Sequence, residues 1–245
     1  MNPLSIQLQD ICVQYGRIQA LKRLNFTINK GDYIGIIGPN GGGKTTMIKV
    51  IIGLIKPNKG TITYNGHSLK KSQIKMGYVP QISDINRNFP ITVGEVVLSG
   101  RLNKKIIPFF KYSEEDHRIA DDVLDTVGLL ELKNRQINEL SGGEFQKMII
   151  ARALTLNPDI LLLDEPTAMV DVMSQRQIFS LIKKLSKNMT IVLITHHVQA
   201  ISKQVKKLIY LDKNIIAEGD PKQVYQYAYI RPVHQKPKHQ VKGSV

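Results

Sequence analysis

The stretch YIGIIGPNGGGKTTMIKVIIGLI, residues 33–55, decides the fold. It opens on a short apolar run, turns through glycines, and closes on MIKVIIGLI, which is apolar at helical spacing until Lys56 and Pro57 stop it. Strand, glycine loop and helix follow one another. Within this order Gly38 to Thr45 match G-x-x-x-x-G-K-[ST], a spacing with a mechanism. Gly38 and Gly43 let backbone amides face a phosphate, and Pro39, Asn40, Gly41 and Gly42 form the arc between them. Lys44 sets a point charge against β- and γ-phosphates, and Thr45, followed by Thr46, offers a hydroxyl to Mg²⁺. A glycine-rich turn with a chance lysine would need neither the strand before it nor the helix after it.

Around this loop lie 245 residues, 42% of them hydrophobic, enough to bury a core. No apolar run approaches the roughly 20 residues that span a bilayer, and the start MNPLSIQLQD lacks the charged and apolar blocks of a secretory signal. The single cysteine, Cys12, excludes an internal disulfide and a cysteine zinc cluster, so a cytosolic setting is expected. Lys and Arg number 34 against 20 Asp and Glu. The resulting charge of +14 draws the chain to polyanions without choosing among nucleic acid, acidic lipid and nucleotide.

The first forty residues alternate apolar and polar in runs such as SIQLQD and NFTINKGDYIGII, which predicts an antiparallel strand layer ahead of Gly38. Residues 113–132, SEEDHRIADDVLDTVGLLEL, begin with a serine cap and carry Ile119, Val123 and Val127 four apart, which predicts a helix. DILLLD and TIVLIT read as buried parallel strands joined by the amphipathic SQRQIFSLIKKL, an α/β core. Near the end, KKLIYLDKNIIAEG predicts a hairpin turning at Asp212, Lys213 and Asn214. The basic, proline-broken RPVHQKPKHQVKGSV predicts a loosely ordered tail.

Two more segments carry chemistry. ILLLDEP, residues 160–166, sets Asp164 and Glu165 at the carboxyl end of a buried strand, where α/β sheets hold ligands. There Asp164 would hold Mg²⁺ and Glu165 would polarise an attacking water. ELSGGEFQKMII, residues 139–150, sets Ser141, Gly142 and Gly143 at the start of a helix, either as a plain N-cap or as a second anion site.

The glycine loop, ILLLDEP, SGGE, the glutamine of YVPQ and the histidine after LIT together resemble the nucleotide-binding subunit of ATP-binding cassette (ABC) transporters, from about residue 4 to about 225. The resemblance implies a P-loop NTPase ABC cassette of α/β class: a RecA-like parallel-sheet core, an N-terminal antiparallel β layer and an α-helical subdomain. It gives one domain over 1–228, with the helical part inserted at about 83–150, and a basic tail over 229–245. It also implies ATP and Mg²⁺ as cofactors, with two ATPs held between two copies, so that the signature of one copy closes on the nucleotide of the other. Tyr15 resembles the aromatic that stacks on adenine, Gln81 the glutamine that contacts Mg²⁺ and water, His196 the switch histidine on the γ-phosphate, and Asp171 the acid of the loop after Asp164 and Glu165. The chain departs from the frequent pattern in AMVD for SALD, Glu144 for glutamine, Lys147 for arginine and His197 for an aspartate. The first three remove neither a phosphate ligand nor the base, whereas with His197 present the choice of His196 over its neighbour rests on register with the preceding strand.

RNFPITVGEVVLSGR and DEPTAMVDVMSQ resemble the ATPases of bacterial zinc or manganese importers, and related wording occurs in iron-chelate importers. The implied partners are a second copy, multi-span permease subunits, and indirectly an extracytoplasmic metal-binding protein, at the cytoplasmic face of the membrane. IIPFF, residues 106–110, would either line a groove for a permease helix or pack under the helical part. A soluble ABC ATPase on ribosomes or nucleic acid suits the charge, but one cassette without a heptad run argues against it, and no specific nucleic acid is expected.

Overall fold

A computed structural model of the chain describes residues 4–81, 87, 89–102, 111–168 and 170–230. The IIPFF run and the tail from residue 231 lie outside the described residues. The strands are β1 (Ser5–Tyr15), β2 (Ile18–Asn29), β3 (Tyr33–Ile37), β4 (Lys59–Tyr64), β5 (Met76–Val79), β6 (Ile160–Asp164), β7 (Thr190–Ile194), β8 (Lys207–Asp212) and β9 (Asn214–Gly219). The helices are α1 (Lys44–Ile51), α2 (Leu69–Ser72), α3 (Val93–Leu98), α4 (Glu114–Val127), α5 (Gly142–Leu154), α6 (Val172–Leu185), α7 (Val198–Ile201) and α8 (Pro221–Ile230). They form two compact units, residues 1–73 with 192–245, and residues 74–191.

In the first unit β2, β1 and β4 make an antiparallel sheet. The alternation of apolar residues slips by one between Leu8 and Ile11 and again between Leu21 and Leu24, yet all four side chains are buried. Bulges absorb the extra residue: Asp10 (φ 49°) and Arg23 (φ 48°) take left-handed backbone, and the strands re-enter register beyond them. Beside this sheet β3 runs parallel to β8, which turns back into β9 at Lys213, so the hairpin forms where the sequence predicts it. Helix α1 stops at Ile51, ahead of Pro57, because Gly53 takes left-handed backbone (φ 76°) and closes the helix first.

The second unit pairs β5 parallel to β6, whose five residues are all buried. Helix α4 starts at the predicted serine cap but ends at Val127, five residues short of Leu132, because Gly128 (φ 71°) caps it in left-handed backbone. Its buried stripe is Ala120, Leu124 and Val127, so Ile119 and Val123 lie at the margin and only Val127 is shared with the expected stripe. The Ser113 hydroxyl donates to Asp116 (2.8 Å), and the Asp116 N–H donates back to Ser113 Oγ (3.1 Å). Arg101 Nε donates to the other oxygen of Asp116 (2.8 Å), while Arg101 Nη1 donates to the carbonyl of Thr155 past the end of α5 (2.9 Å). Gly100 is tied to the same spot, since a Cβ there would sit 2.3 Å from the Arg152 carbonyl. Much of the wording ITVGEVVLSGR is therefore structural: Thr92 and Glu95 form a capping box on α3, and Gly100 and Arg101 clamp three helices.

The Arg101 hydrogen bond, with the cap donors after it, lowers the Asp116 pKa to about 2. A carboxylate whose folded pKa is depressed stabilises above its unfolded value of about 3.9 and loses that contribution as pH falls toward the folded value. Asp116→Asn is expected to cost about 1 kcal/mol at pH 7, read from the urea midpoint, with the gap to wild type closing between roughly pH 4 and pH 2. A gap that stays constant through that window would show that ionisation of Asp116 contributes nothing.

Charge divides cleanly between the units. The first carries 19 Lys and Arg against 5 Asp and Glu, the second 15 against 15, so the whole excess of +14 belongs to the unit with the glycine loop. The attraction to polyanions that net charge supplies therefore comes from that unit.

Candidate functional site

In the first unit the buried β3 delivers the chain to Gly38, whose φ of 149° and close approach leave no room for a side chain: a Cβ would stand 2.0 Å from the Leu211 carbonyl oxygen. Gly43 (φ 91°) caps α1, with the Ala20 carbonyl 2.4 Å from where its Cβ would be. Between them the Gly42 N–H donates to the Pro39 carbonyl (3.1 Å), and Pro39, Asn40 and Gly41 face solvent. Lys44 is buried at 7% exposure, and its Nζ donates to the carbonyls of Gly38 (3.0 Å) and Pro39 (2.9 Å), so the ammonium lies inside the arc. Thr45 and Thr46 stand half-buried on the first turn of α1. That turn carries no acidic residue, so its amides and partial positive charge are left for an anion.

The loop has a brace that sequence reading missed. The Lys213 N–H donates to the Gly42 carbonyl (2.8 Å), and the Lys22 N–H donates to the Lys213 carbonyl (2.7 Å), which links β2 through the β8–β9 turn to the loop. Left-handed Lys213 (φ 59°) gives the turn this shape, and KN in that turn was the only local hint. Tyr15 ends β1 at 48% exposure, opposite Ile18 at 70%, so two apolar side chains stand bare at one hairpin. The Thr195 N–H donates to the Ile36 carbonyl (3.2 Å), so exposed His196 emerges at the same strand ends as Gly38.

In the second unit Val79 pairs with Leu163, so Gln81 and Glu165, each two residues further, leave adjacent parallel strands together. Gln81 Nε2 donates to Glu165 Oε2 at 3.4 Å, a long bond. Glu165 takes left-handed backbone (φ 50°), a strained conformation of the kind that gathers at functional sites. Asp164 is 1% exposed, and its charge adds to burial in pushing the Tyr78 phenol up to about 12.

Ser141 caps α5, and its box with Glu144 is the N-cap that SGGE also allowed. A Cβ on Gly143 would come within 2.5 Å of the Cβ and Oγ of Ser174, so the start of α5 lies directly on α6. Asp171 caps α6, accepting from the N–H groups of Met173 and Ser174 (both 3.0 Å), and the Ser174 bonds hold its carboxyl below the usual range. Asp171 and Gly143 thus share Ser174 as a neighbour.

A glycine loop with this lysine and helix start defines a P-loop nucleotide-binding domain. Residues 21–168 match the family model described as ABC transporter, and the chain belongs to that family as its ATP-binding domain. The high-affinity zinc uptake system ATP-binding protein ZnuC of Bacillus subtilis (strain 168) is 40% identical over 85% of this chain and 91% of its own length. A nucleotide-free ATP-binding cassette from an ABC transporter superposes with a TM-score of 0.81 at 28% identity, over 94% of this chain and 96% of that one. A dimeric bacterial ABC transporter cassette superposes at 0.73 with 31% identity, over 88% and 98%. The α/β cassette architecture expected from the sequence is therefore the observed one.

Proposed function

We propose that this chain is the ATP-hydrolysing subunit of a bacterial importer for a metal cation, zinc or manganese, working as a pair of copies beneath a separate permease. The signature start of α5, carried on the same chain as the P-loop, supports this reading best, because a second anion site needs a second nucleotide. In it Gly38 to Thr46 cradle the phosphates, Tyr15 stacks on adenine, and Mg²⁺, which would neutralise charge on the phosphates, would be held by Thr45, Gln81 and, mostly through water, Asp164. Glu165 takes a proton from the water that attacks the γ-phosphorus, ADP leaves, and His196 steadies the γ-phosphate. Ser141, Gly142, Gly143 and Asp171 face the nucleotide of the other copy. The cargo rests on the likeness to the zinc uptake relative and on the FPITV and AMVDVMSQ wording.

Co-purification from gently solubilised membranes of the native host tests the assembly. Retention of a multi-span protein and an external metal-binding protein is the expected result. Ribosomal proteins or nucleic acid in their place would overturn it. Cell metal content after deletion of the gene tests the cargo: zinc or manganese should fall, and a fall in iron alone would refute the choice of metal.

A further inference from the structure

We propose that Glu144 competes for the hydroxyl proton of Ser141, so that this carboxylate sets how readily ATP draws two copies together. The inference rests on the reading above, in which Ser141 meets the γ-phosphate held by another copy. It adds a positioning residue to that reading, since Glu144 acts through Ser141.

A serine hydroxyl has one proton to give. Here Ser141 Oγ gives it to Glu144 Oε2 at 2.7 Å, while accepting the Glu144 N–H at 3.3 Å. The same Oε2 accepts the Ser141 N–H at 2.8 Å, so one carboxylate oxygen holds both donors of the capping residue. Phosphate oxygens only accept. Ser141 therefore serves a γ-phosphate only after its proton leaves Glu144, and it leaves a charge-assisted bond, which is roughly twice as strong as a neutral one. The carboxylate also carries the same sign as the incoming phosphate.

The surroundings keep this arrangement in place. Hydrogen bonds from Ser141, with help from the charges of Arg135 and Lys147, hold the Glu144 carboxyl below the usual range and so ionised. Ser141 is exposed and reachable, and Gly143 lies against Ser174, which holds the backbone at the start of α5 in place. Glutamine at 144 would still accept from Ser141 and keep the cap, but through a neutral oxygen.

A double-mutant cycle in the full chain tests this, with Glu165→Gln present throughout so that hydrolysis does not reopen the pair. Glu144→Gln, Ser141→Ala and both together are compared with the parent, and the readout is the Mg-ATP concentration giving half-maximal dimer by light scattering. Glu144→Gln is expected to lower that concentration about fivefold, and Ser141→Ala to raise it about tenfold with Gln at 144 but less than about twofold with Glu. Melting temperatures are followed alongside, since a purely structural cap would move stability and leave the coupling at zero. If Ser141→Ala weakens the helix, Ser141→Gly replaces it, because glycine is tolerated at this position. Equal effects of the serine change in both backgrounds would overturn the competition and leave the ATP-held pair standing. A chain that binds Mg-ATP yet stays monomeric in every variant would instead overturn the pairing, and the inference with it.

Discussion

Lys44→Ala is expected to lose nucleotide affinity by roughly 10- to 100-fold and phosphate release with it, for two reasons that the structure separates. The ammonium is the charge aimed at the β- and γ-phosphates in the proposed site. It also donates to the carbonyls of Gly38 and Pro39, so its removal leaves the inside of the loop lined by two oxygens that repel an anion. Titration with a fluorescent ATP analogue and a phosphate-release assay on the purified chain measure both effects. Unchanged turnover would sink the assignment of this loop as the ATP site. Gly38 and Gly43 keep their contacts with Leu211 and Ala20 in the variant, so the fold is expected to survive.

Glu165→Gln has the opposite signature. Mg-ATP binding persists, phosphate release falls by about 10²- to 10⁴-fold, and dimer accumulates because the nucleotide that holds the copies together is no longer consumed. The substitution preserves shape, so the left-handed backbone at 165 is undisturbed, and the amide oxygen still accepts from Gln81. The negative charge is removed, and with it the capacity to take a proton. Light scattering with and without Mg-ATP, beside single-turnover hydrolysis, reads both halves of this expectation. A variant hydrolysing at the parental rate would remove Glu165 from the role of base. One that binds Mg-ATP yet remains monomeric would count against the sandwich for the isolated subunit.

What could be read in advance was local. The P-loop is legible because every requirement falls within the 23 residues 33–55: apolar strand, permissive glycines, lysine, hydroxyl and apolar helix. ILLLDEP is legible because four aliphatic residues before two acids admit few other readings, and β6 is buried at all five positions. The caps at Ser113 and Ser141 were legible for the same reason, since a capping box spans four residues. Helix α4 shows where local reading fails. The expected stripe through Ile119 and Val123 gave way to Ala120 and Leu124, because the face that α5 covers is chosen by packing and not by which residues are most apolar.

The sequence by itself determined the cassette architecture, the residues of the glycine loop, the carboxylate pair and the signature turn, since each is specified by neighbours along the chain. Tertiary structure alone decided how each of these segments is held within its own unit. It brings Leu211 under Gly38 and Lys213 onto Gly42, sets Gln81 beside Glu165, and seats Gly143 on Ser174. It also turned FPITVGEVVLSGR from a string of subfamily wording into a helix cap, a clamp through Arg101 and one exposed aromatic. The physical reason is the range of the interactions. Torsional preference, capping and hydrophobic period act within a few residues, while close packing joins groups tens to more than a hundred positions apart, and no short pattern records which pairs will meet.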